Sequence, residues 1–319
     1  MSKYTRQPLD FSGLSTVPIA ERGGKVRLEH MARPHTPGTT VSAWLESLPK
    51  ILAADSLRAV ASGMLRARES GKAVIWGIGG HVVKCGLAPV IIDLMDRGLV
   101  TALAMNGAAS IHDFELGLAG CTSEDVEAVL PDGRFGSAEE TGRLMNEAIL
   151  RAAERDCGMG EALGEALHAL APADSAGFSL LLQAWRRSIP VTVHVAVGTD
   201  TPHTHPAAGG AAIGEASLRD FRLFTSLVRD LNEGGVYLNV GSAVVLPEVF
   251  LKAVSVVRNL GYPLVRFTTA NFDFLQHYRP KFNVVERPHA QSGGRGYAVT
   301  GHHEIMVPLL AAILAEAGA

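Results

Sequence analysis

Two pairs of histidines are the residues best suited to chemistry. His203 and His205 follow Asp200 just beyond an apolar run, and His302 and His303 follow a second such run near the C-terminus. Alternate residues of an extended segment point the same way, and imidazole binds Zn, Fe or Ni. This spacing indicates a metal site at His203, His205 and His303. The alternative interpretation is a turn in which Asp200 caps backbone amides and both histidines face water.

Glycine-bearing turns are a second candidate for ligand binding. The stretch GIGGH contains Gly79 and Gly80 and leads into a helical segment, where backbone N–H groups could approach a phosphate. Its spacing is not the GxGxxG of dinucleotide-binding proteins, so tight packing of a strand against a helix explains it equally well. The stretch AMNGAAS, with Asn106 and Gly107, has the same character.

Composition limits the class of protein. The chain has 319 residues, of which 47% are hydrophobic and 19% charged, and its formal net charge is −3. These values exclude a disordered chain and offer no basic surface for nucleic acid or an anionic membrane. No apolar run approaches the roughly 20 residues that span a bilayer, and the N-terminus lacks a signal pattern. With three scattered cysteines and no CxxC, we expect a cytoplasmic protein with reduced thiols.

The elements that must position these residues alternate along the chain. Six β-rich runs are separated by segments of helical periodicity, and small or polar residues accompany their ends at 79–81, 106–110, 198–205, 241–242, 268–273 and 301–304. This alternation predicts an α/β fold with a doubly wound, mostly parallel sheet and helices on both faces. Residues 1–40 are polar and contain Pro and Gly, so we predict an N-terminal arm followed by a single α/β domain over 41–319.

Parallel strands bring their ends to one edge of a sheet, and ligands bind beyond the carboxyl ends. We therefore expect His203 and His205 to share a crevice with His302 or His303. Two capping signals add detail about the helices. Asp113 is predicted near the start of the helix that follows Asn106, and Ser137-x-x-Glu140 is predicted to cap the next long helix.

From about residue 73 to the C-terminus, the order of several motifs resembles the deoxyhypusine synthase family. IWGIGGHVVKCGLAPVIIDLMDRGLVTALAMNGAASIHDFELGLAG is similar to the family's first NAD-binding strands, TTANFDF to a later strand, and HHEIMVPLLAAIL to its closing helix. The resemblance implies a Rossmann-like fold, NAD as cofactor, and a homo-oligomer (dimer or tetramer) with sites between subunits. It places cofactor contacts at Gly79, Gly80, His81, Asn106, Gly107, His112, Asp200, Gly241, Ser242, Thr269 and His302.

The chain departs from that family where the chemistry would occur. RPKFNVVERPHAQSGG stands in place of the catalytic lysine motif, and Lys281 lies eight residues before the expected nucleophile. His112, His205 and His302 stand where the family has carboxylates that hold a polyamine or the cofactor. A neutral imidazole attracts ammonium groups less than a carboxylate does. We therefore expect a small substrate that is less cationic than spermidine, and not deoxyhypusine synthesis.

Three functions remain open at this point. The first is an NAD-binding enzyme or transferase of altered substrate, and the second is a metal-dependent hydrolase or lyase that uses Zn, Fe or Ni. The third is a non-catalytic protein that binds a small molecule on the same fold. The catalytic candidates are His203, His205 and Lys281. His81, His112, His302 and His303 are candidates to complete a metal shell.

Overall fold

The structure is a computed structural model that describes residues 3–318. One sheet contains β1 (Val74–Ile78), β2 (Ala102–Asn106), β3 (Val191–His194), β4 (Val236–Val240), β5 (Thr268–Asp273) and β6 (Arg295–Thr300). The strand order is β3-β2-β1-β4-β5-β6, and every neighbouring pair is parallel. The predicted doubly wound parallel sheet is confirmed, and its order is that of dinucleotide-binding folds.

Helices connect the strands and cover both faces of the sheet. They are α1 (Val41–Ser47), α2 (Leu52–Glu69), α3 (Gly80–Lys84), α4 (Ala88–Asp96), α5 (Gly107–Ala119), α6 (Val126–Val129), α7 (Glu139–Arg155), α8 (Met159–Leu170), α9 (Leu180–Arg186), α10 (Gly210–Arg229), α11 (Val245–Asn259), α12 (Tyr278–Pro280) and α13 (His303–Ala317).

The central strand β1 shows why this sequence forms a buried sheet. All five residues of VIWGI are buried, as expected of a parallel strand covered on both faces. Because side chains alternate, Trp76 and Ile78 join the larger apolar cluster on one face. Ile75 joins the second cluster, which includes Phe224 of α10 and Phe250 of α11. Ile78 pairs with Met105 of β2 and Val240 of β4, so the carboxyl ends of these strands lie level.

The predicted position of Asp113 at the start of α5 is wrong. Helix α5 begins at Gly107, and the Asn106 side chain caps it by accepting a hydrogen bond from the Ala109 N–H. The buried Asp113 carboxyl instead caps α9, where it accepts hydrogen bonds from the hydroxyl of Ser179 and the N–H groups of the next two residues at 2.6–2.8 Å. Its burial raises its pKa to about 6. A carboxyl group inside one helix therefore fixes the start of another.

The predicted capping signal at Ser137 is also not used. Helix α7 begins at Glu139 with Ala138 as its N-cap residue, and no side-chain hydrogen bond caps it.

The N-terminal segment lies on the outside of the protein. Residues 3–40 are exposed except for a half-buried His30, and Leu28–His30 forms a short 3-10 turn. Leu9 and Phe11 are 83% and 72% exposed, although both are large apolar side chains. Within residues 3–318, no helix has the length and apolar character needed to cross a membrane.

Candidate functional site

Two glycine turns meet where the strand order reverses, between β1 and β4. Gly79 follows β1, and its N–H donates to the carbonyl of Val240 at the end of β4. A Cβ at Gly79 would overlap the carbonyl oxygen of Gly241, which itself has a φ of 68° that favours glycine. Glycine at both positions thus lets the two turns touch. This is the point at which ligands bind in doubly wound sheets.

His303 lies beside these turns with an unused ring nitrogen. Its side chain is buried, and a Cβ added to Gly241 would lie 3.1 Å from its Cε1. Nε2 lies 3.0 Å from the carbonyl oxygen of Phe272, so this nitrogen carries the hydrogen. Nδ1 is a buried acceptor for which residues 3–318 provide no partner. His81 approaches from α3, with the two ring centroids 5.6 Å apart.

Asp200 lies against the start of α5. A Cβ at Gly107 would overlap the Asp200 carboxylate, so only glycine permits this approach. The hydroxyl of Thr199 donates to Oδ1 at 3.3 Å, whereas Oδ2 is buried and has no hydrogen-bond partner in the described part of the chain. Burial raises the pKa of this carboxyl group. Because a buried acceptor without a donor is costly, Oδ2 is suited to a hydroxyl group of a ligand.

A cavity of about 900 Å³ opens between α5, α7 and the turn after β3. Its lining includes His112 and Glu115 of α5, which face it one helical turn apart, and Asp200. It borders the glycine turns, because a Cβ at Gly80 would lie 3.1 Å from Cδ2 of His112. The volume is in the range of small-molecule sites.

A hydrogen-bond chain orients His112 in this cavity. The hydroxyl of Thr122 donates to Glu115, and Nδ1 of His112 lies 2.8 Å from the same hydroxyl oxygen. Since the hydroxyl has only one hydrogen, Nδ1–H must donate to Thr122. Thr141 also donates to Glu115, at 3.1 Å. The other ring nitrogen, Nε2, is thereby left as an acceptor, and no hydrogen bond within residues 3–318 occupies it.

The environment keeps His112 neutral. Burial lowers the pKa of its imidazole, and Lys84 acts in the same direction, whereas Glu115 opposes both. A neutral imidazole held by a carboxylate through a hydroxyl group has the arrangement of a general base. Three further carboxylates line the cavity, and they make it suited to a ligand with hydroxyl or amine groups: Glu124, Glu140 and Asp200.

His203 and His205 do not form the predicted metal site with His303. Thr201–Thr204 is a 3-10 turn and not an extended segment, so the two histidines do not project in parallel. Nδ1 of His203 accepts from the N–H of Gly198 at 3.3 Å, while Nε2 of His205 lies 3.2 Å from Glu139. Among the described residues, the set that could hold a metal does not include them.

Other predicted contacts also lie apart from the crevice. Thr269 lies at the amino end of β5, on the opposite edge of the sheet, where its hydroxyl donates to the backbone carbonyl of Val284. Lys281 is exposed, with its ammonium group 5.4 Å from the Phe282 ring centre. Two others have local roles near the carboxyl edge. His302 is the exposed N-cap residue of α13 and stacks on Phe274, and the hydroxyl of Ser242 accepts from the backbone N–H of Leu246.

Sequence reasoning missed the partners of His112. The spacing His112-x-x-Glu115 places both side chains on one face of a helix, and this signal was available in the sequence. Thr122 lies in the loop after α5, and Thr141 lies 26 residues beyond Glu115, on α7. No sequence spacing indicates that their hydroxyl groups reach the same carboxylate.

Comparison with known proteins supports the fold. No protein-family model matches the sequence, and no curated protein matches it. A putative LOR/SDH protein from Methanococcus maripaludis S2 is 15% identical, with a TM-score of 0.52 over 85% of this chain and 72% of that one. ArgZ, an arginine dihydrolase from cyanobacteria, is 16% identical, with a TM-score of 0.50 over 83% of this chain; the match spans 33% of ArgZ.

A putative deoxyhypusine synthase from Entamoeba histolytica is also similar in structure. It is 12% identical, with a TM-score of 0.49 over 88% of this chain and 94% of that one. At these identities, the likeness to the LOR/SDH protein and to ArgZ concerns the fold alone. The chain thus has a Rossmann-like α/β fold.

Proposed function

We propose that this chain is an NAD-binding enzyme that removes a proton from a small hydroxyl- or amine-bearing substrate at His112. The observation that carries the proposal is the chain from Glu115 through Thr122 to His112. It ends in a free Nε2 within a cavity that borders the glycine turns of the sheet. The substrate proton moves to Nε2, and Glu115 stabilises the imidazolium through Thr122.

The residues at the carboxyl edge fit NAD. The contact between Gly79 and Gly241 keeps the turns free of side chains, as the approach of a dinucleotide backbone requires. The unpartnered Oδ2 of Asp200 is an acceptor for a ribose hydroxyl, and Nδ1 of His303 is a second buried acceptor. Bound NAD⁺ would accept the hydride from the carbon that carries the hydroxyl or amine group, while the proton of that group moves to Nε2 of His112.

We also propose a substrate that is less cationic than spermidine. Glu115 accepts hydrogen bonds from two threonine hydroxyls, and this leaves less of its charge for an external ammonium group. Lys84 lines the same cavity with a positive charge. These two features support a molecule with one amine or hydroxyl group as the substrate, although Glu124, Glu140 and Asp200 also line the cavity.

Replacing Asp200 by alanine is expected to weaken NAD⁺ binding about 10- to 100-fold. The change removes one hydrogen bond to a charged acceptor, which contributes about 1.5–3 kcal/mol. Isothermal titration calorimetry of NAD⁺ into wild type and D200A measures the ratio. D132A is the matched control, because Asp132 lies in an exposed turn and pairs with Arg134. Equal affinities of wild type and D200A, or no binding to wild type, would contradict the proposed cofactor site.

The proposal includes a homo-oligomer. The N-terminal segment exposes large apolar side chains such as Leu9 and Phe11. Such side chains are typical of a protein–protein contact, and we propose that a second copy of the chain buries them. Light scattering coupled to size-exclusion chromatography measures the molar mass. A dimer or larger species is expected, and a monomer at all concentrations would contradict this part of the proposal.

A further inference from the structure

A histidine, a cysteine and a glutamate converge beside the glycine turns. His81 lies in α3 and Cys85 is its C-cap residue, so the two side chains lie one helical turn apart. Nε2 of His81 and Sγ of Cys85 are 3.2 Å apart. Glu304, in the first turn of α13, places Oε2 3.7 Å from the same sulfur atom. The three ligand atoms lie within 4.8 Å of one another.

The two distances to the sulfur match two edges of a tetrahedral metal site. Zinc lies about 2.3 Å from a cysteine sulfur and about 2.0–2.2 Å from a histidine nitrogen or carboxylate oxygen. Tetrahedral angles then separate the sulfur from either neighbour by about 3.5 Å. The measured 3.2 Å and 3.7 Å lie on either side of that value. A movement of the exposed His81 and Glu304 side chains toward each other would complete the geometry.

The charges of the cluster favour a cation at its centre. In the structure, the Cys85 thiol donates to Glu304. A thiolate next to Glu304 would be two negative charges in contact, which a divalent cation neutralises. Metal binding replaces the thiol proton, which leaves to solvent, and forms an S–metal bond.

We propose that His81, Cys85 and Glu304 bind one divalent transition-metal ion of the zinc class, with a fourth position open to water or a small ligand. A cysteine with a histidine selects zinc over calcium or magnesium, which prefer oxygen ligands. The ion joins α3 to α13 next to the turn that contains Gly80. The site uses none of the residues His203, His205 or His303, and it does not depend on NAD binding.

Cobalt(II) titration of the full-length protein tests the site directly. Metal-free wild type is expected to bind one equivalent and to develop a thiolate-to-cobalt charge-transfer band, which zinc abolishes by competition. C85S is expected to lose the band and bind zinc at least ~10-fold more weakly, since even the loss of an outer-shell partner costs that much. E304Q, which changes an exposed side chain, is expected to weaken binding as well.

C157S is the matched control, because Cys157 is also a half-buried free cysteine but does not belong to the cluster of His81, Cys85 and Glu304. It is expected to keep both the band and the affinity, with all variants showing wild-type circular dichroism. Two results would overturn the inference: no charge-transfer band in wild type, or equal zinc affinity in wild type, C85S and E304Q. Either result leaves the NAD titration unaffected, so the two proposals fail separately.

Discussion

Replacing His112 by glutamine is expected to lower kcat by about 10²- to 10⁴-fold, the usual contribution of a general base. Glutamine keeps a polar side chain in the cavity but cannot take a proton from the substrate. The activity is found first by following NADH formation with wild type and a panel of small hydroxy and amino compounds. The kcat of H112Q is then measured with the compound that reacts.

The kcat values of two further variants show whether His112 acts as a base or only has a structural role. E115Q is expected to lower kcat in the same direction, because Glu115 stabilises the imidazolium through Thr122 and by its charge, with Oε2 3.9 Å from Nδ1 of His112. H205Q is the matched control, since His205 lies in a turn beside Glu139 and not in the hydrogen-bond chain. Unchanged kcat in H112Q, or a comparable loss in H205Q, would contradict the assignment.

The pH dependence of kcat/KM has a defined sign. A general base acts only when unprotonated, so activity falls as the pH decreases through the pKa of His112. Burial lowers that pKa from its ordinary value of 6.5. The acid limb of the profile is therefore expected below pH 6.5, and a limb above this value would assign the essential base to another group.

Replacing Asp113 by alanine is expected to lower the free energy of unfolding by about 3–5 kcal/mol. The change leaves two backbone N–H groups and the Ser179 hydroxyl without their acceptor, in a place that is 0% exposed. Urea unfolding of wild type and D113A measures the difference. D93A is the control, because Asp93 makes an exposed pair with Arg97 that contributes at most about 1 kcal/mol. A loss below 1 kcal/mol in D113A would show that α9 needs no such cap.

The sheet could be predicted from the sequence because each strand is a short apolar run bounded by small residues. β1 and β4 are buried along their whole length, and such runs are typical of parallel strands with helices on both faces of the sheet. The turn that contains His203 could not be predicted in the same way. Whether residues 201–204 are extended or 3-10 depends on Gly198, Glu139 and Gly142, which the turn contacts only in the folded chain.

The candidate site was predictable only where its residues share an element. His112 and Glu115 share α5, and His81 and Cys85 are separated by one helical turn. In contrast, Glu304 lies 219 residues from Cys85 in sequence and reaches it because α13 begins beside the turns of β1 and β4. Contacts of this kind follow from strand order, which the motifs alone did not specify.

Hydrogen–deuterium exchange of wild type with and without NAD⁺ tests most directly whether the carboxyl edge of the sheet holds the cofactor. With NAD⁺ bound, slower exchange is expected at residues 79–84, 106–112 and 196–201, which surround the glycine turns and Asp200. A second cavity, of about 580 Å³, lies at the opposite edge and is lined by Arg68, Lys72 and Arg229. Protection confined to that edge, or no protection at saturating NAD⁺, would contradict the account.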